Sequence, residues 1–203
     1  MWYCIVVTVL VGYMLGNLNG AVCMSALMHD DVRSHGSGNA GLTNFIRNYG
    51  ARRATYVILI DAGKAALACV AGGLLVYPYG TFQLGAAIGG LAVMVGHACP
   101  ALLGFKGGKG ILSGFFVALT TDWRIALIIL TVFAIAYLAT QYVSLGSVLA
   151  AAAFAISFGI FHYTEPGVMI CGIAMGLLAI FMHRGNIARL LKGEERKTNL
   201  FKK

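Results

Sequence analysis

Long apolar segments, separated by short polar ones, account for most of the chain. No charged residue occurs from Met1 to Met28, and further apolar segments follow at Ala54–Val76, Thr81–Leu103, Ile111–Thr121, Ile125–Ala139, Ser144–Phe161 and Gly167–Met182. About 20 apolar residues in a helix cross a hydrocarbon core of about 30 Å. The pattern predicts an all-α, polytopic integral membrane protein with about seven transmembrane helices, in a single domain covering residues 1–203.

Two of these segments need comment. Ile111–Thr121 reaches only about 16 Å at 1.5 Å per residue, so we expect a short helix that does not span alone. No basic residue precedes the first apolar segment. We therefore expect that segment to be a retained span rather than a cleaved signal peptide.

Basic residues concentrate in three polar segments, which we call the first (residues 30–53), second (residues 96–110) and third (residues 183–195) polar segments. The other connections, at residues 77–80, 120–122 and 163–166, contain turn-forming residues and no Lys or Arg. Positive charge marks the cytoplasmic side of a membrane protein. Seven spans with the amino terminus outside place all three polar segments and the carboxyl terminus inside, and leave Arg124 outside.

Composition excludes other classes of protein. Hydrophobic residues make up 59% of the chain and charged residues 11%, whereas a soluble domain carries about 25% charged residues. The net charge of +8 does not indicate nucleic-acid binding, because the basic residues neither follow a helix face nor alternate with aromatic ones. The five cysteines form no C-x-x-C pair, so we expect core residues rather than disulfides or a metal site.

Charge and glycine also occur within the apolar segments. Asp61 and Lys64 lie one helical turn apart on the same face. Because charge inside a membrane is costly, such residues are usually paired or functional, and the sequence leaves open a structural pair or a support for the active site. Glycines such as Gly85 and Gly89 are expected to let helices pack closely.

The first polar segment places glycines, neutral donors and an arginine at close spacing. Gly36, Gly38 and Gly41 match G-x-G-x-x-G, but no buried strand precedes them, as a dinucleotide site requires. Glycine lets backbone N–H groups face an anion, and polar side chains add further donors. The candidates for an anion site are Ser37, Gly38, Asn39, Gly41, Thr43, Asn44 and Arg47. The alternative is a helix cap followed by a solvated turn.

The second polar segment combines two lysines with many glycines. It is not a Walker loop, since Gly110 rather than Ser or Thr follows Lys109. Lysines, glycine N–H groups and the start of an apolar helix can still hold a phosphate. The predicted binding residues are Lys106, Gly107, Gly108 and Lys109, with His97 a further candidate. A plain cytoplasmic loop would need only the lysines.

The third polar segment follows the last apolar segment. His183 and Asn186 are three residues apart, so they share a helix face and point towards one region. Ile187, Leu190 and Leu191 form an apolar stripe. Without the other two segments, this pattern would indicate an interfacial amphipathic helix. Lys202, further along the basic tail, is expected to be a generic surface charge.

Together the three segments resemble one family. They read Ser-Gly-Asn-x-Gly-x-Thr-Asn-x-x-Arg (37–47), Gly-His-x-x-Pro followed by Phe-Lys-Gly-Gly-Lys-Gly (96–110), and His-Arg-x-Asn-Ile-x-Arg-Leu-Leu-x-Gly-x-Glu (183–195). This order and spacing resembles the bacterial acyl-phosphate:glycerol-3-phosphate acyltransferases. The resemblance covers nearly the whole chain. It departs at Gly16-Asn17-Leu18-Asn19-Gly20, where the family commonly has Ser-x-Pro, at Leu42, usually a small residue, and at Gln141, commonly Arg.

The resemblance implies a reaction and a location. A fatty acyl group would pass from acyl phosphate to the 1-hydroxyl of glycerol 3-phosphate, giving lysophosphatidic acid and phosphate, without metal or cofactor. The enzyme would lie in the bacterial inner membrane, with its active site at the cytoplasmic face. Its partners would be the two substrates, membrane lipid and a soluble enzyme that makes acyl phosphate, and no nucleic acid.

The resemblance also implies roles for residues. The second polar segment, at Lys106 to Lys109, would bind glycerol 3-phosphate. The acyl-phosphate head and the developing oxyanion would contact Ser37, Asn39, Thr43, Asn44 and Arg47. His183 and Asn186 are the next candidates for the catalytic site, and His97 follows them.

The general base and the class of function have alternatives. None of the five histidines has Asp five residues on, so the His-x4-Asp pair of other glycerolipid acyltransferases is absent. A substrate phosphate can accept the hydroxyl proton, with His183 or His97 as the protein alternative. A Cys99 acyl-enzyme is a minor route. The rival functions are a small anion channel or transporter, and an acyltransferase that uses acyl-carrier protein or coenzyme A thioesters.

Overall fold

A computed structural model describes residues 1–198 of the chain, so Lys202 lies outside the described residues. Over these residues the chain forms α-helices joined by loops and short 3₁₀ turns, without strands. The helices are α1 (Trp2–Asn17), α2 (Gly20–Ala26), α3 (Leu42–Tyr49), α4 (Ala51–Val76), α5 (Phe82–Ala98), α6 (Ile111–Thr121), α7 (Trp123–Thr140), α8 (Val143–Phe161), α9 (Pro166–Met182) and α10 (Arg184–Leu191). The all-α prediction is confirmed, and every predicted apolar segment is helical.

Four helices in the described chain are long and apolar enough to span a membrane, namely α4, α5, α7 and α8. Two bent pairs pass the same test together. The axes of α1 and α2 differ by 41°, and those of α9 and α10 by 55°. The fourth predicted segment, α6, is a shorter apolar helix, as its length indicated. The chain is therefore a multi-pass integral membrane protein with four to six candidate spans.

The first apolar segment is broken, which corrects the prediction of one continuous helix. α1 ends at Asn17, and α2 begins at Gly20. The side chain of Asn19 caps α2 by accepting a hydrogen bond from the Val22 N–H (3.0 Å). Asn is favoured at this position because it satisfies an N–H that the first turn leaves unpaired. Asn19 thus favours the start of a new helix after the break.

The chain divides into two compact units, residues 1–121 and the residues from 122 onward. In the first unit, glycines allow α1, α4 and α5 to approach closely. A Cβ on Gly16 would overlap the backbone of Val93 and Gly96, and one on Gly72 would overlap the Gly85 carbonyl. These contacts are those expected of small residues in membrane helices. The single-domain organisation stays a prediction.

The two ends of the first unit differ in chemistry. At one end, the exposed Tyr3 of α1 and Tyr79, just beyond α4, share a hydrogen bond between their hydroxyls (2.7 Å). At the other end of α4 lie the exposed Arg52 and Arg53. Aromatic residues favour membrane interfaces, and basic residues favour the cytoplasmic one. The sides of the membrane remain a prediction, with the arginine end inside.

The second unit contains α7 to α10, and close packing again involves glycine. A Cβ on Gly172 would overlap the ring of Phe158, and one on Gly176 would meet Ala151 and Ala155. After α10 the chain returns to α7, where the Tyr137 hydroxyl donates to the Thr198 carbonyl (3.0 Å).

Candidate active site

The break between α1 and α2 leaves backbone groups that two charged side chains of α4 satisfy. The Lys64 ammonium donates to the Leu18 carbonyl. The Asp61 carboxylate accepts from the Gly20 N–H (3.2 Å) and pairs with Lys64 at 2.7 Å. Asp61 and Lys64 are 2% and 4% exposed, so this ion pair is excluded from water. The structure therefore contains the contact that both alternatives assume, a structural ion pair or a support for the active site.

The same ammonium reaches α5. Lys64 Nζ lies 2.8 Å from His97 Nδ1, and His97 is buried. A protonated, cationic His97 beside the Lys64 ammonium would be strongly repelled. Lys64 therefore donates, and Nδ1 accepts. The proton of the neutral imidazole is then on Nε2. The buried network of Asp61, Lys64 and His97 thus joins the α1–α2 break to the end of α5.

The second polar segment folds back onto His97. The Gly108 N–H donates to the His97 carbonyl (3.0 Å), and a Cβ on Gly108 would overlap His97 Nε2. Gly107 is equally confined, because its Cβ would overlap the same carbonyl. Gly110 has φ of +78°, a conformation that favours glycine, and α6 begins at the next residue. Lys106 is exposed and Lys109 partly buried, on either side of this pair of glycines.

The first polar segment is organised around the buried side chain of Asn44, in α3. Its amide nitrogen donates to the carbonyls of Val32, His35 and Asn39 at 3.0–3.1 Å. Its oxygen accepts from the Ser37 N–H (3.0 Å). Asn44 therefore fixes the path of the loop that precedes α3. Ser37 is exposed on this loop, and Thr43 and Arg47 lie on α3.

The N–H groups of Gly38 and Gly41 are hydrogen-bonded within the protein, and their predicted contact with an anion stays a prediction. The Gly38 N–H donates to the His35 carbonyl (3.0 Å), and the Gly41 N–H to the Asn39 carbonyl (2.9 Å). Gly38 has φ of +69°, so glycine is needed here for the turn. The loop therefore offers polar side chains to a ligand more readily than these backbone amides.

The first and second polar segments meet at Ala40. The amide of Asn19 donates to the Ala40 carbonyl (2.9 Å), and a Cβ on Gly108 would lie 2.9 Å from that oxygen. Arg33 of the first segment also donates to the Leu103 carbonyl of the second (3.2 Å). The structure thus brings His97, Gly107 and Gly108 next to the loop that Asn44 organises. The sequence analysis did not predict a role for Asn19 in the site. The feature that could have indicated it is a polar residue within an apolar segment.

The carboxylates of Asp30 and Asp31 neutralise part of the basic charge of the first polar segment. The guanidinium of Arg33, hydrogen-bonded to Asp31 at 2.8–3.1 Å, holds the pKa of that carboxyl below its ordinary value. A hydrogen bond with His35 likewise lowers the pKa of Asp30. Burial, and then the hydrogen bond to Asp30, raise the pKa of Tyr49 to about 12. Both carboxylates are therefore ionised at neutral pH and oppose the binding of a second anion directly beside them.

The third polar segment belongs to the second unit. His183 and Asn186 are both buried, at the start of α10. His183 Nδ1 donates to the Ala179 carbonyl (2.8 Å), which places the basic electron pair of the neutral ring on Nε2. Asn186 donates to Glu195 (2.7 Å), and Arg189 binds the other oxygen of that carboxylate (2.7 Å).

Ionisation of Glu195 reflects these contacts. Burial acts to raise the pKa of Glu195, but the hydrogen bonds from Asn186 and Arg189 outweigh it, and the pKa lies below its ordinary value. The carboxylate therefore holds the residues after α10 against the helix. Among residues 1–198, no group of three His, Cys, Asp or Glu side chains could hold a metal ion.

Comparison with known proteins gives one consistent result. The family model for glycerol-3-phosphate acyltransferase matches residues 6–193. The glycerol-3-phosphate acyltransferase of Finegoldia magna is 39% identical over 190 residues, covering 93% of each chain. That of Prochlorococcus marinus strain MIT 9215 is 36% identical over 200 residues, covering 96% of this chain and 98% of its own.

Solved structures agree with the sequence relatives. The chain resembles the crystal structure of PlsY (YgiH), an integral membrane glycerol 3-phosphate acyltransferase, in its glycerol 3-phosphate form. The TM-score is 0.84 and the identity 31%, over 98% of this chain and 99% of the other. The lysophosphatidic acid form gives a TM-score of 0.83 over 96% and 95%. The chain, with its buried Asp61–Lys64–His97 network beneath two glycine-rich segments, therefore belongs to the glycerol-3-phosphate acyltransferase family.

Proposed function

We propose that this protein transfers a fatty acyl group from acyl phosphate to the 1-hydroxyl of glycerol 3-phosphate. The hydroxyl oxygen forms an ester bond with the acyl carbon, and the bond from that carbon to the phosphate oxygen breaks. The products are lysophosphatidic acid and inorganic phosphate, and the hydroxyl proton passes to a phosphate oxygen.

One observation carries this proposal. The first polar segment, which bears Arg47, and the second, which bears Lys106 and Lys109, meet at Ala40 and Gly108. The meeting point lies next to the buried network of Asp61, Lys64 and His97, in a multi-pass membrane protein. A reaction between two phosphate-bearing molecules needs cations on separate, fixed segments. Arg binds phosphate through a planar pair of donors, and Lys through a point charge.

The site needs little covalent chemistry from the protein. An acyl phosphate is already activated, so holding the hydroxyl against the acyl carbon and stabilising the oxyanion are the main tasks. We assign Lys106, Gly107, Gly108 and Lys109 to glycerol 3-phosphate. Ser37, Asn39, Thr43 and Arg47 are assigned to the acyl-phosphate head, and Asn44 to the shape of the loop that carries them.

Proton transfer is assigned to the substrate. His97 Nδ1 already accepts from Lys64, and its Nε2 faces Gly108. A phosphate oxygen of the substrate is the acceptor that remains beside the hydroxyl. His183 is the protein alternative, because its Nδ1–H donates to a carbonyl and Nε2 is the basic nitrogen. Asn186 is assigned to hold the third polar segment through Glu195.

The acyl donor is placed at the cytoplasmic surface of the membrane. We place the enzyme in the bacterial inner membrane with the arginine end of α4 in the cytoplasm, following the distribution of basic residues. The acyl chain then lies among apolar helices while its phosphate is at the surface. A soluble enzyme that makes acyl phosphate would deliver the donor to this face.

The test is a donor comparison with the protein purified in detergent. Glycerol 3-phosphate is supplied with acyl phosphate, acyl-coenzyme A or acyl-carrier protein, and lysophosphatidic acid and released phosphate are measured. Product from acyl phosphate alone is expected. Flux of phosphate into vesicles without product would favour a channel or transporter, and product from a thioester alone would refute the assigned donor.

A matched pair of arginine variants locates the site. Arg47→Ala should reduce turnover by about 100-fold, the loss expected when a charged donor to a transition state is removed. Arg196→Ala removes an exposed arginine beyond α10 and should leave turnover within about twofold. Equal losses in the two variants would show that Arg47 is not in the site.

A further inference from the structure

The buried ammonium of Lys64 joins three helical segments through its hydrogen bonds. It donates to Asp61 on its own helix, to the Leu18 carbonyl at the α1–α2 break, and to His97 Nδ1 on α5. An ammonium has three N–H donors, and these three contacts, with a longer one to the Gly16 carbonyl (3.5 Å), use all of them. Such a group is expensive in a membrane helix, and it is retained where its geometry serves a function.

The contacts of Lys64 continue into the second polar segment through His97. Because Nδ1 accepts from Lys64, the orientation of the imidazole ring is fixed. Gly108 lies on the other side of the ring, because a Cβ on Gly108 would overlap Nε2, and the Gly108 N–H donates to the His97 carbonyl. Gly107 packs against that carbonyl as well. The position of the two glycines is therefore defined by a ring that Lys64 holds.

We propose that Lys64, oriented by Asp61, is a positioning residue for glycerol 3-phosphate binding and acts through His97 on the segment from Lys106 to Lys109. His97 is then a spacer and hydrogen-bond acceptor rather than a general base. This inference rests on the proposed assignment of that segment to glycerol 3-phosphate. It assigns a role in binding to a charged pair that is buried within the protein.

Substitutions at His97 separate the positioning role from base catalysis. His97→Asn places an amide oxygen near the position of Nδ1, so Lys64 keeps its acceptor, but the side chain cannot act as a base. His97→Leu removes the acceptor at similar volume. A positioning role predicts near-normal kcat and KM for His97→Asn, and a KM for glycerol 3-phosphate about tenfold higher for His97→Leu, the effect of roughly one hydrogen bond.

Base catalysis predicts another pattern. Both variants would lose kcat by about 100-fold or more, since neither can accept the proton. The KM for glycerol 3-phosphate would stay near that of the wild type in both. Loss of kcat in His97→Asn would therefore overturn the assignment of His97 as a spacer.

The ion pair itself is tested by single and double variants. Lys64→Met leaves Asp61 unpaired and is expected to lower thermal stability sharply. Asp61→Leu with Lys64→Met removes both charges and should recover much of that stability. The positioning role predicts that the KM for glycerol 3-phosphate remains about tenfold high in the double variant, because His97 has still lost its donor.

A purely structural role predicts that stability and KM recover together, and that result would overturn the inference. The KM for acyl phosphate, assigned to the other segment, serves as the internal control and should change by less than about twofold in the double variant.

Direct binding keeps this inference separate from the proposed reaction. The Kd of radiolabelled glycerol 3-phosphate is measured for the wild type, His97→Asn, His97→Leu and the double variant in detergent. Weaker binding in the last two alone supports the inference whichever donor the enzyme uses. A wild type that binds glycerol 3-phosphate but forms no lysophosphatidic acid from acyl phosphate would refute the proposed function only. A wild type that binds no glycerol 3-phosphate would refute the positioning role.

Discussion

Replacing Gly108 by alanine should weaken the binding of glycerol 3-phosphate while the protein stays folded. The added Cβ would overlap His97 Nε2 and lie 2.9 Å from the Ala40 carbonyl oxygen. His97 cannot rotate away without losing its contact with Lys64 (2.8 Å). The segment containing Gly108 must therefore move, and with it the neighbouring lysines.

The size of the effect follows from the cost of overpacking. Adding a methyl group to a tightly packed site costs about 1–3 kcal/mol. About 1.4 kcal/mol corresponds to a tenfold change in an equilibrium constant. If the binding-competent geometry carries all of the strain, the Kd for glycerol 3-phosphate should rise by about 5- to 150-fold. The Tm should fall by only a few degrees, since the segment lies at the end of α5 and before α6.

The assay compares KM, kcat and Tm of Gly108→Ala with those of Gly63→Ala. Gly63 is the matched control, because no atom lies within 4 Å of the position that its Cβ would occupy. The double variant His97→Asn with Gly108→Ala provides a rescue, since Asn lacks the ring atoms that the new Cβ overlaps. A normal KM in Gly108→Ala, or the absence of rescue, would refute the proposed contact as the cause.

Three further outcomes are expected. Asn44→Ala should reduce turnover and expose the loop before α3 to faster hydrogen exchange. Cys99→Ser should retain activity; complete loss would restore the acyl-enzyme route. Arg124 lowers the pKa of Asp122, so that carboxylate stabilises the fold above its ordinary pKa of about 3.9 and stops doing so as pH falls through the lower folded value. Asp122→Asn should therefore lower Tm at pH 7 but not at strongly acidic pH.

The apolar pattern predicted the helices well because membrane spans depend on summed hydrophobicity. It could not predict the break in the first segment. Asn17, Asn19 and Gly20 are too few to offset the apolar residues around them, and a helix could continue through all three. The break becomes favourable because Lys64 and Asp61, more than 40 positions later, satisfy the exposed Leu18 carbonyl and Gly20 N–H. Only the folded chain brings these groups together.

The structure brings residues of the first and second polar segments together, but the sequence could not give their contacts. Composition indicated a loop of donors before Arg47, and that loop exists. The direction in which each donor points depends on the backbone path. The Asn44 amide binds three carbonyls of the loop, and its predicted contact with the substrate stays a prediction. For the same reason the N–H groups of Gly38 and Gly41 are turned towards carbonyls. Their direct contact with substrate stays a prediction.

The network of Asp61, Lys64 and His97 gives a physical reason for the residues at the end of α1, where this chain departs from the family pattern. Where the family commonly has Ser-x-Pro, a proline would interrupt the helix by lacking an N–H donor. Here the interruption comes from Asn19, which caps α2 and also holds the Ala40 carbonyl. The break leaves the Leu18 carbonyl as an acceptor for Lys64, and this contact keeps the ammonium directed at His97, next to the second polar segment.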